Sequence, residues 1–134
     1  LENVVVATGK FAAWNPGELR NCTTAAGMIL GDNNYSAINC ITPSIESKIE
    51  GARIEYCDVY DAKPFIDMAR PGKGCFSAPP QFVDPKSFDF RLLPTSPCRG
   101  KASDGGDVGC RYTPEMIEMF TIALELRAKG VIKF

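Results

Sequence analysis

Four stretches of the chain align with one another: Leu1-Glu2-Asn3-Val4-Val5-Val6, Leu19-Arg20-Asn21-Cys22-Thr23-Thr24, Ala37-Ile38-Asn39-Cys40-Ile41-Thr42 and Ile54-Glu55-Tyr56-Cys57-Asp58-Val59. Successive copies are offset by 18, 18 and 17 residues. A fixed period of this kind marks a repeat architecture in which each unit stacks on the next. The shared apolar positions are spaced i, i+3, i+5. A straight strand shows one face at i, i+2, i+4, so the chain must bend inside the repeat. Asn sits at the bend, and Asn tolerates the left-handed conformation a sharp corner needs. Asn3, Asn21 and Asn39 then stack roughly 4.8 Å apart, with their amides placed to hydrogen-bond along the stack. Val4, Cys22, Cys40 and Cys57 form an inward ladder, and Val6, Thr24, Thr42 and Val59 another. The expected fold is an all-β parallel β-solenoid.

Further strands are expected at Lys10 to Trp14, Gly27 to Leu30 and Ser47 to Ile49. Asn15-Pro16-Gly17, Gly31-Asp32-Asn33-Asn34 and Glu50-Gly51 follow as turns. This predicts about three short rungs over residues 1–62, a terminal loop and closing strands over 63–112, and a helix and tail over 113–134.

The later sequence reads Pro80-Gln81-Phe82-Val83-Asp84-Pro85, then Asp89-Phe90-Arg91-Leu92-Leu93-Pro94-Thr95-Ser96-Pro97-Cys98, then Asp104-Gly105-Gly106-Asp107-Val108-Gly109. Together with the repeats, this order resembles the C-terminal end of right-handed parallel β-helix proteins of the pectate-lyase-like superfamily, many of them secreted bacterial surface proteins. The resemblance covers roughly Leu1 to Gly109. It implies a fold and a place at the end of a solenoid. It does not choose among the lyases, hydrolases, adhesins and phage tailspikes of that superfamily, whose catalytic acids usually sit on central rungs.

A chain of 134 residues that is 45% hydrophobic can bury one core. Net charge is −1, without the basic footprint of a nucleic-acid binder. No run approaches the 18 or so apolar residues of a membrane span. Six cysteines, an even count, suggest an extracellular or cell-surface setting. Cys22, Cys40 and Cys57 would stack with parallel Cβ directions, which suits buried thiols better than a disulfide. Cys98 and Cys110 flank a Gly-rich loop and are the disulfide candidates, with Cys75 as competitor. None has Cys-x-x-Cys spacing, which argues against zinc.

Histidine is absent. That excludes imidazole acid–base catalysis and leaves carboxylate chemistry. The resemblance implies an acidic sugar held through Ca²⁺ on Asp or Glu, with Arg or Lys as base. The nearest local match is Asp58, which points outward on its strand, with Asp61, Lys63, Asp67 and Arg70 on the loop after it; the plainer reading is a solvated charged loop. Asp104 and Asp107 offer oxygens to Ca²⁺, but Asp-Gly-Gly-Asp equally makes a tight turn. Asn21-Cys22-Thr23 and Asn34-Tyr35-Ser36 match the glycosylation sequon, with Asn34 the accessible one. Trp14, Tyr35, Tyr56 and Tyr60 are either a sugar-stacking surface or aromatic fill.

Thr113-Pro114-Glu115 starts a helix and Lys129-Gly130 stops it. Its polar stripe (Glu118, Thr121, Glu125, Lys129) is narrow. The apolar arc exceeds what one packing partner needs. The helix is expected to cap the last rung, or to wedge between the solenoid and another chain. The first rung, Asn3 to Val6, would leave its edge unpaired and requires upstream rungs or another subunit upon it. The sequence thus suggests the structural C-terminal part of a secreted β-helix protein that binds or processes carbohydrate. The alternatives are a segment of a polysaccharide lyase or hydrolase, and a subunit that self-assembles through its first rung.

Overall fold

The computed structural model describes residues 1–13, 17–31 and 35–133. Trp14, the sequon Asn34 and most of the first two expected turns lie outside the described residues. The chain winds as a parallel β-solenoid of about three turns with three strand positions per turn. The first sheet stacks β1 (Val5–Val6), β4 (Thr23–Thr24), β7 (Ile41–Thr42) and β10 (Asp58–Val59). The second stacks β2 (Phe11–Ala13), β5 (Met28–Leu30), β8 (Ile45–Ser47) and β11 (Phe65–Asp67). The third stacks β3 (Gly17–Arg20), β6 (Tyr35–Ile38) and β9 (Arg53–Glu55). The register follows the repeat: Val5 pairs with Thr23, Thr23 with Ile41, and Ile41 with Asp58. The strand expected at Ser47 to Ile49 lies two residues earlier, because Ile45 pairs with Met28.

Each repeat is cut by a left-handed corner, as the spacing requires. Asn3, Asn21 and Asn39 have φ of 56°, 53° and 57°, and Tyr56 takes the same corner at 53°. Along the stack it is the corner backbone that bonds: Asn3 N–H donates to Arg20 O, Asn21 to Ile38 O, Asn39 to Glu55 O and Tyr56 to Lys73 O, at 2.9 to 3.1 Å. The expected amide-to-amide bonds are therefore a point of correction. Asn39 Nδ2 donates to Ser103 Oγ (2.9 Å) and its Oδ1 accepts from Ser103 N (2.8 Å). Asn3 exchanges the same pair of bonds with the Arg111 backbone, at 2.7 and 2.6 Å. The buried Asn21 Oδ1 has no partner among the described residues. The left-handed corner throws these side chains sideways off the stack, towards the C-terminal segment.

The inward ladder is a column of thiols. Cys40 Sγ lies 3.4 Å from Leu19 O, and Cys57 Sγ lies 3.3 Å from Ala37 O. Cys75 repeats the pattern at 3.3 Å from Ile54 O. Cys75 is thus a further ladder member rather than a disulfide competitor. Gly72 N–H bonds Ile54 O and Phe76 bridges Asp58, so the solenoid runs on past residue 62. The signal was legible: Gly72-Lys73-Gly74-Cys75 follows Ile54-Glu55-Tyr56-Cys57 by 18 residues, with Gly74 (φ 72°) in the corner. Beside the thiols run hydroxyls, Thr24 Oγ1 donating to Thr42 Oγ1 (2.6 Å) and Thr42 to Ser44 O (3.0 Å). Leu19, Met28, Leu30, Ile45 and Ile54 fill the interior. Each such buried side chain stabilises the fold by roughly 1.5–3 kcal/mol.

Beyond the solenoid, β12 (Phe82–Asp84) and β13 (Asp89–Leu92) form an antiparallel hairpin, its Phe82 and Phe90 rings edge-to-face at 5.1 Å. Residues 96–112 then run back over the outer face of the first sheet. Ile41, Cys98, Ala102 and Val108 pack there as a second core. The return is stepwise, with Ser103 at Asn39, Cys110 N–H on Thr23 Oγ1 (2.9 Å) and Arg111 at Asn3. Gly109 lets the backbone this close; a Cβ there would lie 2.6 Å from Ile41 Cδ1.

The helix α1 (Pro114–Ala128) starts as the sequence indicates, with Thr113 Oγ1 accepting from Met116 N. Its position differs from expectation. Met116 Sδ lies 3.6 Å from Asn3 Nδ2, so α1 rests against the first rung and not the last. The returning segment has already carried the chain back along the stack. The last rung is covered instead by its own continuation, with Ala69 and Cys57 fully buried.

Candidate functional site

Asp58 points outward from β10, as expected from its place in the repeat, yet it is fully buried beneath the returning segment. Its Oδ1 accepts from Ala78 N (3.0 Å) and its Oδ2 from the Cys98 thiol (3.1 Å). Burial pushes this carboxyl above the usual carboxylate range, while the Ala78 N–H and Cys98 hold it down. Cys98 is committed to this bond, and its thiol is pushed up first by burial and then by the Asp58 carboxylate. No disulfide joins Cys98 to Cys110; both are free thiols, and burial pushes Cys110 up to about 11. Cys98 stands level with Asp58 and Cys110 with Thr23, two strands away. That is roughly 9–10 Å of sheet, beyond the Cα reach of a disulfide.

The other acids and bases of the expected catalytic group do not gather around Asp58. Asp61 and Lys63 are exposed in the turn after β10. Asp67, at the end of β11, pairs with Lys48 (3.2 Å), and that pairing holds its carboxyl below the usual range. The Arg70 guanidinium folds onto the carbonyls of Asp67 and Ala69. Among the described residues, no group of three His, Cys, Asp or Glu side chains could hold a metal ion. The Ca²⁺ candidates are each held by an arginine. Asp104 receives both terminal nitrogens of Arg111 at 2.7 Å, which holds its carboxyl well below the usual range. Asp107 Oδ2 takes Arg99 at 3.0 Å and its Oδ1 takes Gly100 N. These pairs brace the Gly-rich turn. Arg91, Arg99 and Arg111 line a groove of about 560 Å³ beside it, with their charges answered by Asp89, Asp107 and Asp104.

The aromatic candidates are likewise dispersed. Tyr35 packs on the thiol-lined core, Tyr60 on the second core, and Tyr56 lies under Lys73, 5.9 Å from its ring centre. Asn21 of the first sequon is buried in its corner.

One feature escaped the sequence. A groove of about 590 Å³ runs between the first rung and α1, lined by Val4, Val5 and Ala7 on one side and by Met116, Met119 and Phe120 on the other. Phe88 and Tyr112 line it as well, and among the described residues none of its lining is charged. Arg127 sits over the Phe88 ring at 5.4 Å, tying the helix to the hairpin turn. The wide apolar arc of α1 was the available signal; which element it would face was not. Among the described residues, no helix is long and apolar enough to cross a membrane. No protein-family model matches the chain, and neither does any curated protein.

Proposed function

We propose that this chain is a structural end module of a parallel β-helix protein. It closes the solenoid at one end and offers the other for a further rung. The observation that carries this is the difference between the ends. Around the last rung Ile54, Cys57, Val59 and Ala69 are 0–1% exposed, whereas Val4, Val6 and Phe11 of the first rung are only half-buried and Leu1 is 58% exposed. Among the described residues the edges of β1 and β2 are unpaired on that side, as is the edge of β11 at the other, so it is the exposure of the apolar side chains that separates the two ends. An open apolar rung with free edge groups is what natural solenoids cover. The parent is a secreted or cell-surface protein of the pectate-lyase-like group that binds or processes polysaccharide; this part rests on the resemblance of roughly residues 1–109. The test is to precede the chain with a second copy of its residues 1–18, so that Leu1 takes the place Leu19 holds in the native order. The added rung should raise the melting temperature by several degrees. An unchanged or lowered value would refute the reading. Ca²⁺-dependent release of unsaturated sugar ends by the chain, abolished by Asp61→Ala or Lys63→Ala, would instead establish a lyase.

A further inference from the structure

The thiol column ends in carbon on one side, at Val4, and in sulfur on the other, at Cys75. Cys22, Cys40, Cys57, Cys98 and Cys110 are at most 7% exposed, whereas Cys75 is only half-buried. Its neighbour in the column is Cys57. The bridge between Asp58 and Phe76 sets the two cysteines level, one strand spacing apart. That spacing, about 4.8 Å between Cα atoms, lies inside the range a disulfide spans. For Cys22, Cys40 and Cys57 the parallel ladder holds the Cβ directions parallel, which opposes the disulfide torsion. Cys75 lies outside any strand. It follows the Lys73–Gly74 turn, with Gly74 at φ 72°, and its N–H bonds back to Gly72 O at 3.4 Å. A residue between a glycine turn and a single bridge is free to turn its Cβ out of line with the ladder. The chemistry of the sulfur agrees. A hydrogen bond from the Cys57 thiol holds the Cys75 thiol below its ordinary range against the opposing effect of burial, and the backbone amides of Cys57 and Gly72 add to it. Burial instead pushes Cys98 and Cys110 up. The thiolate is the nucleophile, so reach and reactivity coincide at Cys75.

We propose that Cys75 is a modification site for small peroxides and that Cys57 resolves the product as a disulfide. Both are free thiols in the structure. In the first step the Cys75 thiolate attacks one oxygen of hydrogen peroxide. An S–O bond forms and the O–O bond breaks. The sulfur gives up two electrons to the peroxide, and the departing hydroxide takes the proton that Cys75 released, leaving as water. In the second step the Cys57 sulfur attacks the Cys75 sulfur of the sulfenic acid. The S–S bond forms, the S–O bond breaks, and hydroxide leaves with the Cys57 proton as a second water. Two thiols and one peroxide thus give one disulfide and two waters. Cys57 is itself fully buried, so the oxidant reaches the pair through Cys75. The bond closes residues 58–74 into a loop and fastens the last turn of the solenoid to its core.

The experiment exposes the reduced full chain to hydrogen peroxide at neutral pH, then alkylates it and digests it with trypsin in the absence of reductant. Cleavage after Lys73 puts Cys57 and Cys75 on separate peptides. Mass spectrometry should find the chain lighter by two hydrogen atoms and those two peptides linked. Cys75 should lose its thiol at least about ten-fold faster than Cys22, Cys40, Cys98 or Cys110. In Cys57→Ala, Cys75 should instead gain one oxygen and be trapped by dimedone. In Cys75→Ala, Cys57 should stay reduced. The linked pair in the native chain decides the case if Cys57→Ala fails to fold. Oxygen on Cys75 with Cys57 still open to alkylation after unfolding would overturn the resolving role. Earlier loss of the Cys98 or Cys110 thiol, or a Cys75 link between two chains in place of the Cys57 link, would overturn the site.

Discussion

Asn39 allows the corner conformation and the corner's side-chain bonds to be separated. Replacing it with Gly keeps a residue that adopts φ 57° without strain and removes two hydrogen bonds, to Ser103 Oγ and from Ser103 N. Each such bond contributes about 1 kcal/mol net. Ser103 is exposed, so water satisfies what is left behind and no further desolvation cost is added. Glycine also costs roughly 0.5–1 kcal/mol through the unfolded chain. Asn21→Gly is the matched control. It stands one rung away at φ 53°, carries the same glycine cost, and its buried Oδ1 accepts no bond. The difference between the two variants should therefore be about 2 kcal/mol, with Asn39→Gly the less stable, or roughly 6–12 °C in melting temperature. Asn39→Ala should be worse than Asn39→Gly by about 0.5–1 kcal/mol, because a Cβ in the left-handed region costs roughly 1–2 kcal/mol and exceeds the glycine entropy it avoids. Urea unfolding with a constant slope measures all three. Equal stabilities of Asn39→Gly and Asn21→Gly would show that the bonds between the corner and the returning segment contribute nothing.

Gly109→Ala should destabilise by roughly 2–4 kcal/mol, combining a left-handed backbone with overpacking against Ile41 and Thr23; thermal unfolding within about 0.5 kcal/mol of the native chain would refute the close approach. Thr42→Val should cost about 1–3 kcal/mol by stranding the buried Thr24 hydroxyl, whereas Thr24→Val with Thr42→Val should recover most of that loss, as Val already occupies the equivalent place at Val59. An additive double variant would contradict the hydroxyl pairing. Asp58 sets a pH dependence whose sign follows from its raised native pKa. The native state holds the proton more tightly than the unfolded chain, so this group's contribution falls as pH rises from about 4 through the native value. The stability of Asp58→Asn relative to the native chain should accordingly increase between pH 4 and pH 7, and a pH-independent difference in chemical denaturation would remove Asp58 from the account.

The repeat by itself determines much of this architecture. The i, i+3, i+5 spacing demanded a bend, the residue at the bend was one that tolerates positive φ, and the period set the register of Val5, Thr23, Ile41 and Asp58. These are local properties of backbone sterics and side-chain alternation, and they are written in the order of residues. The helix ends were legible for the same reason, since Thr113, Pro114 and Gly130 act on their immediate neighbours. What the sequence did not decide was where residues 96–128 would lie. Their placement depends on which outward side chains of the first sheet needed cover, on Gly109 passing close to Ile41, and on the Asn3 and Asn39 amides finding backbone partners more than 60 residues away. Those contacts turned Asp58 from an outward charge on its strand into a buried acceptor, separated Cys98 from Cys110 by two strands, and laid α1 beside the first rung. Local geometry follows from local sequence, whereas the cover of a solenoid face is chosen by packing between segments distant in the chain, and only the folded structure contains that choice.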